Sequence, residues 1–158
     1  MHLLIDGYNL MHAAGYLTTR KTGRIEPIRQ RFLAWLSNAL PARNADAVAI
    51  FDGHAPRTRS SLPHVAVRYS ASVTADDAIE AILSSRERHD AVVSNDARLH
   101  EAARRANVPA WRCERFLDWL IEAPKRNPSA APINEKPTAA VDESDLLRAF
   151  QTPRGRKP

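Results

Sequence analysis

The chain has 158 residues, a length that suits one domain with an extension, and its 44% hydrophobic content is enough for a buried core. The formal net charge of +5 favours an anionic partner, nucleic acid first, although a basic surface without such a partner explains the charge equally well. One cysteine excludes an internal disulfide, and the absence of a long apolar run or a signal-peptide pattern predicts a cytoplasmic protein without a membrane span.

Apolar stretches alternate with amphipathic ones over the first 122 residues. In chain order the predicted elements are strand 2–5, helix 26–40, strand 47–51, edge strand 65–69, helix 75–88, strand 90–94, helix 97–106, strand 109–112 and helix 114–122. Strands that alternate with helices are typical of a parallel, doubly wound sheet with right-handed crossovers. The predicted fold class is therefore α/β.

The composition changes after residue 122. Prolines punctuate a polar, alanine-rich stretch that is typical of a linker or a disordered tail. Within it, residues 142–150 can form one short amphipathic helix. The predicted organisation is a domain over 1–122 and a Pro-rich linker and tail over 123–158.

Three predicted strands lead into an aspartate. Asp6 follows the first strand, Asp52 the second and Asp96 the strand over 90–94, while Asp76 and Asp77 open a predicted helix. Because parallel strands end at one edge of a sheet, where α/β proteins bind ligands, these acids can surround one crevice. Crowded carboxylates repel one another unless a cation neutralises them, and oxygen ligands without His or Cys suit Mg²⁺ or Mn²⁺.

Each acid also has a structural explanation. Asp76 and Asp77 follow a threonine in a pattern that resembles a capping box, and for this pair alone capping is the stronger explanation. Asp96 can cap the helix that follows it, and Asp52 can belong to a turn. Asp6 differs, because a turn does not require an aspartate after so apolar a strand. The coincidence of all these positions at one edge favours a functional site.

The charge around these acids indicates the substrate. Apart from the five aspartates, residues 1–122 hold 16 Lys or Arg against 9 other acids. A cation held by carboxylates lowers the pKa of bound water and stabilises the charge of a phosphoryl transition state. An acidic centre in a basic surround therefore predicts metal-dependent hydrolysis of a phosphodiester.

Three short motifs occur in a specific order along the chain. They are Asp6-Gly-Tyr-Asn9 after the first strand, Thr74-Ala-Asp76-Asp77-Ala-Ile-Glu80 at the start of a helix, and Ser94-Asn-Asp96 after a later strand. Together they resemble the NYN domain family, in particular its YacP-like branch of PIN-like ribonucleases, over residues 1–122. The resemblance implies a PIN-like three-layer α/β/α sandwich with a central, mostly parallel sheet, and RNA cleavage that depends on Mg²⁺ or Mn²⁺.

The resemblance also implies roles for individual residues. The positions that correspond to metal-binding acids are Asp6, Asp76 and Asp96. Asn9 corresponds to an amide expected to orient a water, a metal ligand or the phosphate. Asp52 and Asp77 are expected to support the ligands or to bind a second metal. The candidate catalytic residues are Asp6, Asn9, Asp52, Asp76, Asp77 and Asp96.

Basic residues near the predicted sheet edge are candidates for contacts with RNA phosphates. They lie in the connection after the first strand, in the loop after Asp52 and in the helix after Asp96. These candidates are Arg20, Lys21, Arg24, Arg57, Arg59 and Arg98. Tyr8 and Tyr16 can stack on unpaired bases. Taken singly, each basic side chain is also typical of a solvated loop, and each tyrosine of a packed core.

Other families fit this sequence less well. A haloacid-dehalogenase-type phosphatase needs a second aspartate two residues after the first, where this chain has Tyr8, and no glycine-rich loop of Walker type is present. The predicted function is a metal-dependent endoribonuclease that hydrolyses RNA phosphodiester bonds. The alternative is a non-catalytic PIN-like module that binds RNA or the ribosome, and the oligomeric state stays open.

Overall fold

Five parallel strands form the centre of the structure, which is a computed structural model and describes residues 1–17, 24–56, 61–85 and 87–122. The predicted tail over 123–158, with its helix at 142–150, lies outside the described residues. The elements are β1 His2–Asp6, α1 Gly7–Ala13, α2 Ile25–Ala39, a 3₁₀ turn Leu40–Arg43, β2 Asp46–Phe51, β3 Val65–Tyr69, α3 Ala75–Leu83, β4 Ala91–Val93, α4 Ala97–Arg105, β5 Ala110–Trp111 and α5 Cys113–Ile121.

The strand order in the sheet is β3-β2-β1-β4-β5, and each neighbouring pair of strands is parallel. The first three strands build one side of the sheet, and the chain then returns past β1 to add β4 and β5. The order therefore reverses between β1 and β4. In open α/β sheets this switch point is where the carboxyl ends of the strands leave a crevice for a ligand.

Two apolar layers cover the faces of the sheet. Leu3 and Ile5 of β1 pack with residues of α1, α2 and α5 on one face. Leu4, between them, packs with Ile79 of α3 and Leu99 of α4 on the other face. This alternation is what a strand buried on both sides requires. The predicted α/β/α sandwich with a parallel sheet is confirmed.

Two element predictions are wrong in detail. The connection after β1 was expected to be a loop but begins with α1, because Leu10 and Met11 are fully buried in the core. The helix predicted over 75–88 ends at Leu83. There the Ser84 hydroxyl donates to the Glu80 carbonyl at 2.9 Å, and a following serine does the same one turn on, so side chains satisfy the last carbonyls and the helix stops.

Membrane insertion finds no support in the helices of the described ranges, since none of them is both long and apolar enough to cross a bilayer.

Candidate metal and RNA site

Asp6 is a buried carboxylate at the end of β1, only 4% exposed. It ends the strand and also caps α1, because its Oδ1 accepts from the backbone N of Asn9 at 3.2 Å. Its Oδ2 accepts from the Asn9 amide at 2.6 Å and from the Ser94 hydroxyl at 3.1 Å. A charge removed from water needs such donors, and these three hold the Asp6 carboxylate in one orientation.

Ser94 connects the ends of β1 and β4. Its fully buried hydroxyl donates to Asp6 and accepts from the backbone N of Asp96 at 3.1 Å. The Ser94 carbonyl in turn lies 2.6 Å from His100 Nε2, which must donate since a carbonyl only accepts. Asp6 and Asp96, 90 positions apart in the sequence, are thus separated by one hydroxyl group.

Asp96 and Thr74 begin the two helices on this side of the sheet. Asp96 caps α4 by accepting from the backbone N of Arg98 at 2.7 Å, and Thr74 caps α3 by accepting from the backbone N of Asp77 at 3.1 Å. The structural explanation of these positions therefore holds. It does not remove the acids from the site, because both caps place a carboxylate at the carboxyl edge of the sheet.

Asp52 joins the end of β2 to the start of α3. Its Oδ1 accepts from the backbone N of Ala75 at 2.7 Å, so the residue after β2 fixes the helix that carries Asp76 and Asp77. This bond brings α3 to the same edge as Asp6. The five predicted aspartates thus lie at three strand ends and one helix start around the crevice.

The pKa of the Asp76 carboxyl is raised above its ordinary value. Partial burial is the largest cause, followed by repulsion from Asp6 and Asp96; Asp52 adds to it and Arg98 opposes it. Because such repulsion requires short separations, the carboxylates of the four aspartates share one electrostatic site. Their excess of negative charge is what a cation would relieve.

Asp77 lies in the same helical turn but in different surroundings. Its Oδ1 accepts from the Arg98 guanidinium at 2.7 Å, and this hydrogen bond is the main reason that the pKa of Asp77 is lowered. Arg98 also pairs with Glu80 at 2.7 Å, and the two acids raise the pKa of its guanidinium. Asp77 is therefore already neutralised by the protein, in contrast to Asp76.

The predicted RNA-contacting residues are only partly described. Arg98 is half-exposed but engaged by two acids, and Arg24 is an exposed residue that precedes α2 without a side-chain capping bond. The remaining candidates Arg20, Lys21, Arg57 and Arg59 lie outside the described residues. A contact of any of the six with RNA stays a prediction.

Two polar side chains in the site were missed as participants. The Ser94 hydroxyl was visible only as part of a motif, because its link to Asp6 spans 88 residues. Glu80 could have been found from spacing, since it follows Asp76 by four residues and Asp77 by three, which places all three on one side of α3. Glu80 binds Arg98 and so helps to set the charge of the site.

The donor set suits a hard divalent cation. The acids supply oxygen only, and the pKa of Asp76 reports uncompensated negative charge. As the side chains are placed, no three His, Cys, Asp or Glu residues in the described ranges form a ready-made metal-binding group. Mg²⁺ usually binds one or two carboxylates and keeps several waters, so a closed cage of protein ligands is not required for a fit.

A family model described as a YacP-like NYN domain matches residues 3–147 of the chain. A comparison with curated proteins gives no match. Among solved structures, Rae1 (YacP) from Bacillus subtilis is similar, with a TM-score of 0.63 and 19% identity over 76% of this chain and 73% of that chain. A mutant of the same protein gives a TM-score of 0.58 and 20% identity over 75% and 74%. At these identities the likeness concerns the fold.

Proposed function

The chain belongs to the YacP-like NYN domain family, and on that basis we propose that it is an endoribonuclease that hydrolyses RNA phosphodiester bonds with the help of Mg²⁺ or Mn²⁺. The observation that carries this proposal is the shared electrostatic site of Asp6, Asp52, Asp76 and Asp96 at the switch point of the sheet. An acidic crevice at that place repels RNA unless a cation stands between them.

The residues of the site have distinct tasks in this proposal. Asp6, Asp76 and Asp96 would hold the cation, which supplies a water of lowered pKa and offsets charge on the phosphate. Asn9 and Ser94 orient the Asp6 carboxylate through hydrogen bonds of 2.6 and 3.1 Å. Because these bonds exist before a substrate arrives, the carboxylate does not need to reorganise during the reaction.

Asp52 and Asp77 act indirectly in this scheme. Asp52 fixes the start of α3 through the Ala75 backbone N and thereby places Asp76. Asp77 holds Arg98, whose positive charge acts on Asp76 without touching its carboxylate in a listed bond of the acid pair Asp77 and Glu80. Basic residues around the crevice would bind phosphates on either side of the cleaved bond, with little dependence on base sequence.

Cleavage of labelled single-stranded RNA during a titration of Mn²⁺ or Mg²⁺ tests the proposal. We expect metal-dependent cleavage by the wild-type chain and a loss of at least about 100-fold in Asp96→Asn, because removing one group that acts on the transition-state charge costs about that much. Asp118→Asn, which alters an exposed aspartate on α5, is the matched control and should cleave normally. Cleavage that survives EDTA or Asp96→Asn would exclude the metal mechanism.

The alternative is a non-catalytic module that binds RNA or the ribosome. It draws support from the structural use of the acids, since Asp6 and Asp96 cap helices and can be retained for that reason alone. RNA binding without cleavage under every metal would favour this module.

A further inference from the structure

Three aromatic rings surround a buried arginine at the carboxyl edge of the sheet. The Arg29 guanidinium lies 5.4 Å from the Phe51 ring centroid and 5.0 Å from that of Tyr69. Tyr8 meets Phe51 edge to face, with centroids 5.1 Å apart. Phe51 and Tyr69 are 6.1 Å apart and pair in register at the ends of β2 and β3. These four residues are referred to below as the aromatic–arginine cluster.

The cluster lies beside the acids but on the other face of the sheet. Side chains alternate along a strand, so Phe51 points to the α2 layer whereas the next residue, Asp52, bonds to α3. Tyr8 likewise packs in the α2 layer, two residues after Asp6. A strand of RNA that crosses this edge can therefore place a phosphate at the acids and a base at the rings.

Arg29 is held inside the cluster and is not available to bind phosphate. It is only 6% exposed, it pairs with Glu26, and it donates to the Tyr8 hydroxyl at 3.1 Å. Because the guanidinium can only donate, the Tyr8 hydroxyl accepts this bond and keeps its own proton for another acceptor. Contacts of Arg29 with two rings and one hydroxyl fix the aromatic surface in place.

The two tyrosines differ from the core aromatic residues in their exposure. Phe51 is fully buried, whereas Tyr8 and Tyr69 are partly buried and combine ring packing with contact to solvent. Tyr16, by contrast, packs on Phe32 and Trp35 of α2, with ring centroids 5.4 and 6.2 Å away. Tyr8 and Tyr69 thus present aromatic surface at the edge where the acids lie.

We propose that Tyr8 and Tyr69, fixed by Arg29, form a subsite that stacks an unpaired base of the RNA next to the acidic crevice. The inference rests on the proposed function for its substrate. Stacking on an aromatic ring accepts any base but requires that the base is not paired. The subsite therefore selects single-stranded RNA over a duplex, and it makes binding depend on the presence of bases rather than on phosphates alone.

The test measures binding without cleavage. All proteins carry Asp96→Asn, and the probes are a short fluorescein-labelled oligouridine, the same backbone without bases, and a duplex of the same length. We expect the parent to bind oligouridine more tightly than either other probe. Tyr69→Leu should weaken binding of oligouridine about fivefold or more and leave binding of the base-free strand unchanged. Tyr69→Phe, which keeps the ring, should bind as the parent does.

Tyr16→Leu is the matched control, since it removes a tyrosine ring that packs within the α2 layer. It should preserve the preference for oligouridine, and circular dichroism establishes that each variant is folded. Equal loss on both single strands, or no loss in Tyr69→Leu, would overturn the subsite. If base-dependent binding is present but the parent chain without Asp96→Asn never cleaves RNA, the subsite stands and the nuclease proposal fails.

Discussion

Aspartates in this site satisfy backbone donors and repel one another at the same time. Asp6, Asp52 and Asp96 each accept from a backbone N at the start of a helix. Those bonds set the positions of the carboxylates before any ligand arrives, which is the condition for an efficient charged site. Capping and metal binding are therefore compatible explanations for the same residues.

Asp76 and Asp77 should respond oppositely to pH when the protein is free of metal. Repulsion and burial raise the pKa of Asp76, so its ionisation opposes folding, and this cost appears as the pH rises above the ordinary range of an aspartate. Arg98 lowers the pKa of Asp77, so its ionisation supports folding, and this support is lost as the pH falls below that range. At pH 7 in EDTA we expect Asp76→Asn to be more stable than Asp77→Asn.

Thermal unfolding of the two variants between pH 3 and pH 7 measures this difference. Both substitutions remove a charge from the first turn of α3, so the effect of the helix dipole is similar in each and the comparison isolates the surroundings of the two carboxyls. The gap in unfolding temperature should close towards pH 3, where both aspartates are protonated. A gap of the opposite sign at pH 7 would mean that repulsion at Asp76 is not significant.

At the scale of secondary structure, periodicity predicted nearly every element and failed where tertiary contacts decide. β3 was predicted with its observed bounds, since its alternation of apolar and polar residues is strict. α1 has seven residues and begins with a glycine, so local pattern cannot reveal it. Its existence depends on the Asp6 cap and on burial of Leu10 and Met11 against residues distant in sequence.

The candidate site shows the same division. Alternation of strands and helices predicted that the acids meet at one edge, because parallel topology alone requires it. The Ser94 bridge and the pairing of Arg98 with Asp77 and Glu80 depend on side-chain directions in three dimensions, which no spacing encodes. Sequence thus identified the acids, whereas structure identified which of them are already neutralised.

Gly7 permits the close approach of β1 and β2 to their aromatic neighbours. A Cβ at this position would lie 2.4 Å from Cε1 of Phe51, whose ring is fully buried. Since the ring has no free space to move into, Gly7→Ala should destabilise the fold by about 1–3 kcal/mol, as overpacked cores do. Urea unfolding measures the loss.

Phe51→Leu provides the control for this clash. The smaller side chain removes the atoms that the new methyl group would meet, so Gly7→Ala should cost less in that background than in the wild type. Gly53→Ala should cost only about 1 kcal/mol, since Gly53 has a φ of +91° but no atom near its missing Cβ. Equal costs of Gly7→Ala in both backgrounds would show that the Phe51 ring is not the obstacle.

At the scale of the whole molecule, the sheet gathers acids at one edge of a chain that is otherwise basic. Leaving aside the five site aspartates, residues 1–122 have 16 Lys or Arg and 9 acids. Such a distribution attracts a polyanion while the crevice itself repels it. A cation bound at the crevice would reverse the local charge, so metal binding and RNA binding should be mutually dependent.

Metal binding should therefore stabilise the folded domain even without RNA. A ligand that binds only the folded state adds about 2.7 kcal/mol at a concentration 100 times its Kd, and an unfolded chain cannot assemble carboxylates from β1, α3 and α4. We expect Mn²⁺ to raise the unfolding temperature of the wild-type chain and to have little effect on Asp6→Asn or Asp96→Asn. Asp118→Asn, on the exposed side of α5, should respond as the wild type does. A rise that is as large in Asp96→Asn as in Asp118→Asn would place the cation elsewhere, because bulk screening by a divalent salt acts on both variants alike.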